Sequence, residues 1–164
     1  MEFRAILTVI HILSAVVWLG FLPADLILRK SIRISRGKSG ERKLISVYMG
    51  LTNLSGMIGM AGVLITGLIL TATIPYYSFF SFSSNHWLTT KQIIMVLLIV
   101  LTFAFLIPSA KKVRQAIGLD LESTTYPGEN TYTNLRKLET IITISNVLVL
   151  LNFLLAITHR YFGA

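Results

Sequence analysis

The stretch Trp87–Ile107, WLTTKQIIMVLLIVLTFAFLI, decides the fold of this chain. After Lys91 and Gln92 it holds fifteen residues, and Thr102 is the one polar side chain among them. A helix needs about 20 predominantly apolar residues to cross a hydrocarbon layer about 30 Å thick. The stretch is therefore predicted to be a transmembrane helix.

Three further runs have the same character, at about Ala5–Leu28, Ile45–Ile74 and Ile141–Tyr161. Of the 164 residues, 54% are hydrophobic and only 13% are charged, which is far from the average soluble protein. The composition predicts an all-α, integral membrane four-helix bundle that forms a single transmembrane domain over residues 1–164, with lipid as the solvent of most of its surface.

The charge pattern predicts how the bundle is oriented. The net charge is +8, and no charged residue lies between Lys43 and Lys91. The basic residues concentrate instead in the segment 29–43 and in the third connection, where the polar stretch 118–137 is predicted to be a loop. Because cytoplasmic loops of membrane proteins are enriched in Lys and Arg, we expect both basic segments inside and both termini outside, in a bacterial inner (plasma) membrane.

Composition also limits the chemistry. The positive charge sits in interhelical segments beside lipid headgroups, so it does not predict binding to nucleic acid. With no cysteine, the chain has no disulfide framework, thiolate-ligated metal or cysteine nucleophile. No phosphate-binding glycine loop and no hydrolytic motif is found in the sequence.

Polar residues inside the spans recur at helical spacing. His11, Trp18 and Asp25 are seven residues apart on the first helix, and Ser145, Asn152 and His159 repeat that spacing on the fourth. With a rise of about 1.5 Å per residue, His11 is expected roughly 10 Å below the outer surface and Asn152 at a similar depth. His86, Lys91 and His159 are expected nearer that surface.

Neutral imidazole is a common ligand of iron, copper and zinc, and haem iron accepts axial histidine. His11 is the first choice of ligand, with His86 or His159 as its partner. The alternatives are a packing role for His11, hydrogen-bonded to Asn152 or to a backbone carbonyl, and interfacial roles for the other two histidines. Lys91, and more weakly Arg160, suits a haem propionate, although a lysine at this height also reaches the headgroups without any ligand.

The second helix carries a stripe of small residues, Ser55, Gly59, Gly62 and Thr66, which allows close approach of a helix or of a flat macrocycle. Helix packing is the commoner meaning. Met57 and Met60 are soft ligands suited to copper, but their depth separates them from the histidines. Asp25 most simply pairs with Arg29, four residues on.

Two motifs carry a resemblance to a known family. The segment His11-Ile-Leu-Ser-Ala-Val-Val-Trp18-Leu-Gly20-Phe-Leu-Pro23 resembles the first helix of the HemJ-type protoporphyrinogen oxidases and of the related CopD-like membrane proteins. Trp87-Leu-Thr-Thr-Lys91 resembles the motif that opens a later helix in the same group. The resemblance implies that His11 and Lys91 bind haem b and support oxidase activity.

The sequence thus predicts a membrane redox protein that binds haem b and passes electrons to or from a quinone, or oxidises a porphyrin-like substrate. The alternatives are a membrane protein that transports or handles copper or another transition metal, and an assembly subunit without a cofactor. A homo-oligomer is compatible with each. The predicted cofactor-binding residues are His11, Trp18, Lys91, Asn152 and Arg160, and the predicted metal ligands are His11, His86 and His159.

Overall fold

The computed structural model of the chain describes residues 2–75, 77, 79–80, 86–123 and 126–162, without the side chains of 121–123 and 159–162. These residues form four long helices. They are α1, Glu2–Ile34; α2, made of Glu41–Leu54, Ser55–Met60 and Ala61–Thr73; α3, made of His86–Leu101, Thr102–Leu106 and Ile107–Ser123; and α4, Glu129–Phe162. Each is long and apolar enough to cross a membrane. The predicted all-α membrane bundle is confirmed, and the chain is a multi-pass membrane protein.

The helices are longer than the apolar runs that predicted them. For example, α1 continues past Leu28 to Ile34, and α4 begins at Glu129, twelve residues before the fourth apolar run. Hydropathy marks only the part of a helix that lies in hydrocarbon, whereas backbone hydrogen bonding continues through polar residues in water. The helices therefore project beyond the apolar layer at the end of the bundle that carries the basic segments, hereafter the basic end.

The prediction of a loop over residues 118–137 is wrong for most of that stretch. Among its described residues, only Tyr126, Pro127 and Gly128 lie outside a helix. The carboxylate of Asp120 accepts hydrogen bonds of 2.7 Å from the backbone N–H of Gly128 and from the hydroxyl of Thr131. These bonds satisfy donors at the start of α4, so the polar residues fold into helix and not into an extended loop.

The small-residue stripe of α2 packs directly against α1. A Cβ atom built at Gly59 would lie 2.8 Å from the Cβ of Trp18, and one built at Gly62 would lie 2.8 Å from the Cβ of Ser14. Two helices approach this closely only where one of them has no side chain. The interpretation of this stripe as a helix-packing surface is confirmed, with α1 as the neighbouring helix.

Helices α3 and α4 form the second packed pair, and the two pairs meet mainly along α1 and α4. Helices α2 and α3 touch where the Thr102 hydroxyl donates to Met60 Sδ at 3.3 Å. This contact joins two short π-helical segments, Ser55–Met60 and Thr102–Leu106. Such segments are rare and occur often at functional sites.

The outward surface of the bundle is apolar. In the most apolar part of each helix, no more than 22% of the residues are buried inside the bundle. Long apolar side chains such as Leu13, Val16 and Phe103 are more than half exposed. An apolar surface of this extent is stable only in a lipid environment.

Candidate functional site

His11 is held against α2 by a specific hydrogen bond. Its ring nitrogen Nδ1 lies 2.8 Å from the hydroxyl oxygen of Thr66. The Thr66 hydroxyl in turn donates to the Gly62 carbonyl one turn earlier in α2. The Cε1 atom of the ring lies 3.3 Å from the place where a Cβ would stand at Gly67. The ring is therefore held close to a glycine of α2.

These bonds are consistent with a proton on Nδ1 of His11. A threonine hydroxyl has one hydrogen, and here Gly62 receives it, so the Thr66 oxygen acts as the acceptor toward Nδ1. With the proton on Nδ1, the lone pair of the imidazole resides on Nε2. Histidines that bind metals through Nε2 are oriented by this kind of Nδ1 donation.

Lys91 belongs to the same neighbourhood. The half-buried ammonium of Lys91 interacts electrostatically with His11. The Nζ atom also lies 5.5 Å from the ring centroid of Trp87, in cation–π geometry. The structure thus brings together the two residues that the family resemblance singles out, although they are 80 positions apart in the chain.

Trp18 is buried deeper in the bundle than His11. It packs against Gly59 and forms a cluster with Met60, Leu98 and Val149. With a rise of about 1.5 Å per residue, Trp18 lies about 10 Å further from the Arg4 end of α1 than His11 does. Its observed contacts make it a packing residue between the helix pairs. The contacts do not test its predicted role in cofactor binding.

Thr66 makes the hydrogen bond to His11 that one interpretation of the sequence assigned to Asn152. The Asn146 amide donates to Asp25 at 3.2 Å, so these two residues lie at the same height in the bundle. Asn152 is further along α4 and lies about 9 Å closer to the His11 end, which places it near the height of Trp18. The expectation of equal depth for Asn152 and His11 therefore does not hold. Within the described residues, the Asn152 Oδ1 atom is buried without a hydrogen-bond partner.

The structure describes the side chain of His86 but not that of His159. His86 is the first residue of α3 and is exposed. The side chains of His159 and Arg160 lie outside the described residues, so their predicted roles stay predictions. The backbone of residue 159 belongs to α4, and the register set by Asp25 and Asn146 places it near the height of His11.

A metal site formed by protein ligands alone is not seen in the described part of the chain. No group of three or more His, Asp or Glu side chains there is arranged to hold a metal ion. Met57 is 66% exposed on the outer surface, whereas Met60 is packed in the core near Trp18. Neither methionine is therefore placed beside His11.

A buried polar cluster at the basic end joins three helices. The Asp25 carboxylate accepts from Arg29 Nε and from the Tyr48 hydroxyl, both at 2.8 Å, as well as from Asn146. Arg29 also donates to Thr143 at 2.7 Å. The pairing of Asp25 with Arg29 was predicted from spacing, but Tyr48 and Thr143 were missed. Tyr48 lies two turns before Ser55, on the face of α2 that carries Ser55, Gly59 and Gly62. This spacing could have identified Tyr48 as a residue that faces α1.

A cleft of about 460 Å³ opens between α1 and α4 at the basic end. Both apolar and charged side chains line it. They include Ile32, Arg33, Glu41, Tyr132, Leu135 and Arg136. Glu41 is fully buried, and its Oε2 atom accepts hydrogen bonds from the Gly37 backbone at 2.7 Å and the Tyr132 hydroxyl at 2.9 Å. The cleft could not be predicted from local sequence patterns, because its two walls come from segments that are far apart in the chain.

Fold and site together define a class, the multi-pass four-helix membrane proteins, with an oriented histidine and a lysine near one end of the bundle. No protein-family model, curated protein or solved structure matches the chain. The similarity to HemJ-type and CopD-like proteins therefore rests on the two motifs alone, and the assignment of function rests on the geometry of the site.

Proposed function

We propose that this chain is a membrane redox protein that holds haem b through Nε2 of His11. The observation that carries the proposal is the 2.8 Å contact between His11 Nδ1 and Thr66 Oγ1. With the proton on Nδ1, this contact orients the ring and leaves a lone pair on Nε2, through which His11 would hold haem iron. Bound haem supplies one-electron redox chemistry to a chain that has no redox-active cysteine.

Lys91 supports the same assignment through charge. A haem propionate is anionic, and a lysine ammonium is a compact cation that pairs with a carboxylate. Lys91 lies close enough to His11 for its charge to act on the imidazole, and in this proposal His11 would hold the iron while Lys91 would pair with a propionate of the same molecule. Arg160 is proposed as a second cation for the propionates, and His159 as a second histidine that would hold the haem, because its backbone lies near the height of His11.

We further propose that this site lies in the outer half of a bacterial inner membrane. Twelve of the fifteen Lys and Arg residues lie in 29–43 and 111–137, and Arg4, Lys91 and Arg160 are the other three. The positive-inside rule then assigns the basic end to the cytoplasm. A site near the opposite end is suited to a lipid-soluble electron partner such as a quinone, or to a porphyrinogen that enters from the membrane.

Absorption spectroscopy of the detergent-purified protein, produced with ample haem, tests the proposal. We expect a Soret band that shifts on reduction, and we expect His11→Ala to lose it. Thr8→Ala is a matched control, because Thr8 is an exposed residue one turn away on the same helix. Exogenous imidazole should restore the band in His11→Gly, since it replaces the missing ligand without any change in the fold.

Three outcomes would contradict the proposal. They are a wild-type protein without a Soret band, a His11→Ala variant that keeps the band, and stoichiometric copper in place of porphyrin. The last result would favour the metal-handling alternative. Comparison of His86→Ala with His159→Ala then identifies the second ligand, since only its loss should change the spectrum of the bound haem.

A further inference from the structure

We infer that the cleft at the basic end binds the headgroup of a phospholipid that carries an amine, such as phosphatidylethanolamine. The inference is independent of the haem proposal. It rests on the side chains that form the cleft between α1 and α4, and on one carboxylate oxygen at its floor.

Glu41 lies at the floor of the cleft, and one of its carboxylate oxygens has no donor among the described residues. Glu41 is fully buried, and its Oε2 atom is satisfied by Gly37 and Tyr132. Its Oε1 atom is also buried and has no hydrogen-bond partner among the residues that the structure describes. An unpaired carboxylate oxygen in a buried position is costly, and a ligand ammonium is the donor that relieves this cost most effectively.

The rim of the cleft supplies the opposite charge. Arg33, Arg36 and Arg136 line it. Arg33 pairs with Glu139 at 3.2 Å, and Arg36 pairs with Glu129 at 3.1 Å. Arg136 is exposed and makes no ion pair with a described residue. The cleft therefore offers a guanidinium for a phosphate and a buried carboxylate for an amine, which is the charge pattern that complements a zwitterion.

Apolar surface beside the rim favours a lipid over a soluble phosphodiester. A neighbouring cavity of about 410 Å³ shares Arg33 with the cleft, and it is lined by the basic residues Arg29 and Lys30 and by the apolar side chains of Leu26 and Ile34. These two side chains are 68% and 61% exposed. An acyl chain that leaves a headgroup near Arg33 would lie on this apolar surface. Basic pockets between transmembrane helices at the headgroup level bind lipid headgroups in this way.

The test measures lipid retention by native mass spectrometry of the full-length protein, exchanged into dioleoyl phosphatidylethanolamine, phosphatidylcholine or phosphatidylglycerol. Phosphatidylcholine has the same phosphate and net charge but no N–H donor. We expect several-fold stronger retention of phosphatidylethanolamine than of either other lipid. Glu41→Gln should abolish the preference over phosphatidylcholine, because it removes the charge that recognises the ammonium.

A second comparison measures lipid retention by the Arg136→Gln variant, with Lys137→Gln as its matched control. Lys137 is the next residue, is also exposed, and does not line the cleft. We expect Arg136→Gln to lower retention of all three lipids and Lys137→Gln to leave it unchanged. The inference is overturned by equal retention of phosphatidylethanolamine and phosphatidylcholine in the wild type, by a preference for phosphatidylglycerol, or by equal effects of the two substitutions. Equally strong binding of soluble glycerophosphoethanolamine would overturn the assignment to a lipid.

Discussion

The ring of His11 and the hydroxyl of Thr66 are joined by a 2.8 Å hydrogen bond between α1 and α2, and this bond orients the imidazole. It connects residues 55 positions apart in the chain. The bond is possible because Gly62 and Gly67, on either side of Thr66, let the helices approach closely. The packing of α1 on α2 and the proposed site thus depend on the same residues.

Thr66→Val should weaken haem binding without loss of the fold. Valine has nearly the same shape as threonine, but it cannot accept the Nδ1 proton. Removal of such an orienting partner typically costs about 10- to 100-fold in affinity. Haem titration of the purified protein, followed at the Soret band, measures the change.

Thr71→Val is the control for that experiment. Thr71 lies on the same helix, is buried, and donates to the Gly67 carbonyl of its own helix. Its replacement should leave the affinity for haem unchanged. Equal losses in the two variants would show that Thr66 acts through helix stability and not through His11.

Asp25→Asn should destabilise the bundle strongly. The substitution keeps the size of the side chain but leaves Arg29 without its counter-ion, and the Arg29 side chain is only 12% exposed. Breaking a buried ion pair in this way costs about 3–5 kcal/mol. Reversible unfolding in mixed micelles with increasing SDS measures the free energy of unfolding.

Glu129→Gln breaks a comparable pair in an exposed position. Glu129 and Arg36 are 75% and 48% exposed, and such pairs contribute only about 0–1 kcal/mol. The double variant Asp25→Asn/Arg29→Gln should recover part of the loss, because it removes the unpaired charge. If Asp25→Asn costs no more than Glu129→Gln, the polar cluster does not stabilise the contact of α1 with α2 and α4.

Gly59→Ala should also destabilise the protein. The added Cβ would lie 2.8 Å from the Cβ and 3.0 Å from the Cα of Trp18. Since backbone atoms form part of this contact, the helices must separate, at a cost of about 1–3 kcal/mol. The same unfolding measurement applies.

Gly56→Ala is the matched control, three residues earlier in the same π-helical segment. A Cβ there meets nothing within 4 Å. Because alanine restricts the unfolded chain more than glycine does, this change should be neutral or slightly stabilising. Similar unfolding free energies for the two variants would be evidence against close packing of α1 on α2.

The orientation of the bundle can be tested by labelling of single cysteines, because the chain has none of its own. Ser39→Cys places a thiol in the exposed turn between α1 and α2, and Phe79→Cys places one near the opposite end. With the basic end in the cytoplasm, a membrane-impermeant maleimide added to intact spheroplasts should label Cys only in the Phe79→Cys variant. The reverse pattern would move the proposed haem site to the inner half of the membrane.

Local patterns were sufficient to predict several features of this protein. Uninterrupted apolar runs such as Ile93–Leu101 have few stable environments other than lipid, so the number of helices and their membrane location follow from composition. The spacing of Asp25 and Arg29 predicted their ion pair, and the spacing of Gly59 and Gly62 predicted a packing face. Each of these features is set within a few helical turns of one segment.

The tertiary structure decided which segments meet. Sequence periodicity gives the face of a helix that carries a polar side chain, but not the neighbour or the register against which that face packs. For this reason Thr66 proved to be the partner of His11 in place of Asn152, and Tyr48 and Asn146 joined Asp25. The buried floor of the cleft at Glu41 likewise exists only once α1 and α4 lie side by side. Hydrophobicity determined that this chain forms a membrane bundle, whereas close contact between glycines and side chains distant in sequence determined the neighbours of its polar groups.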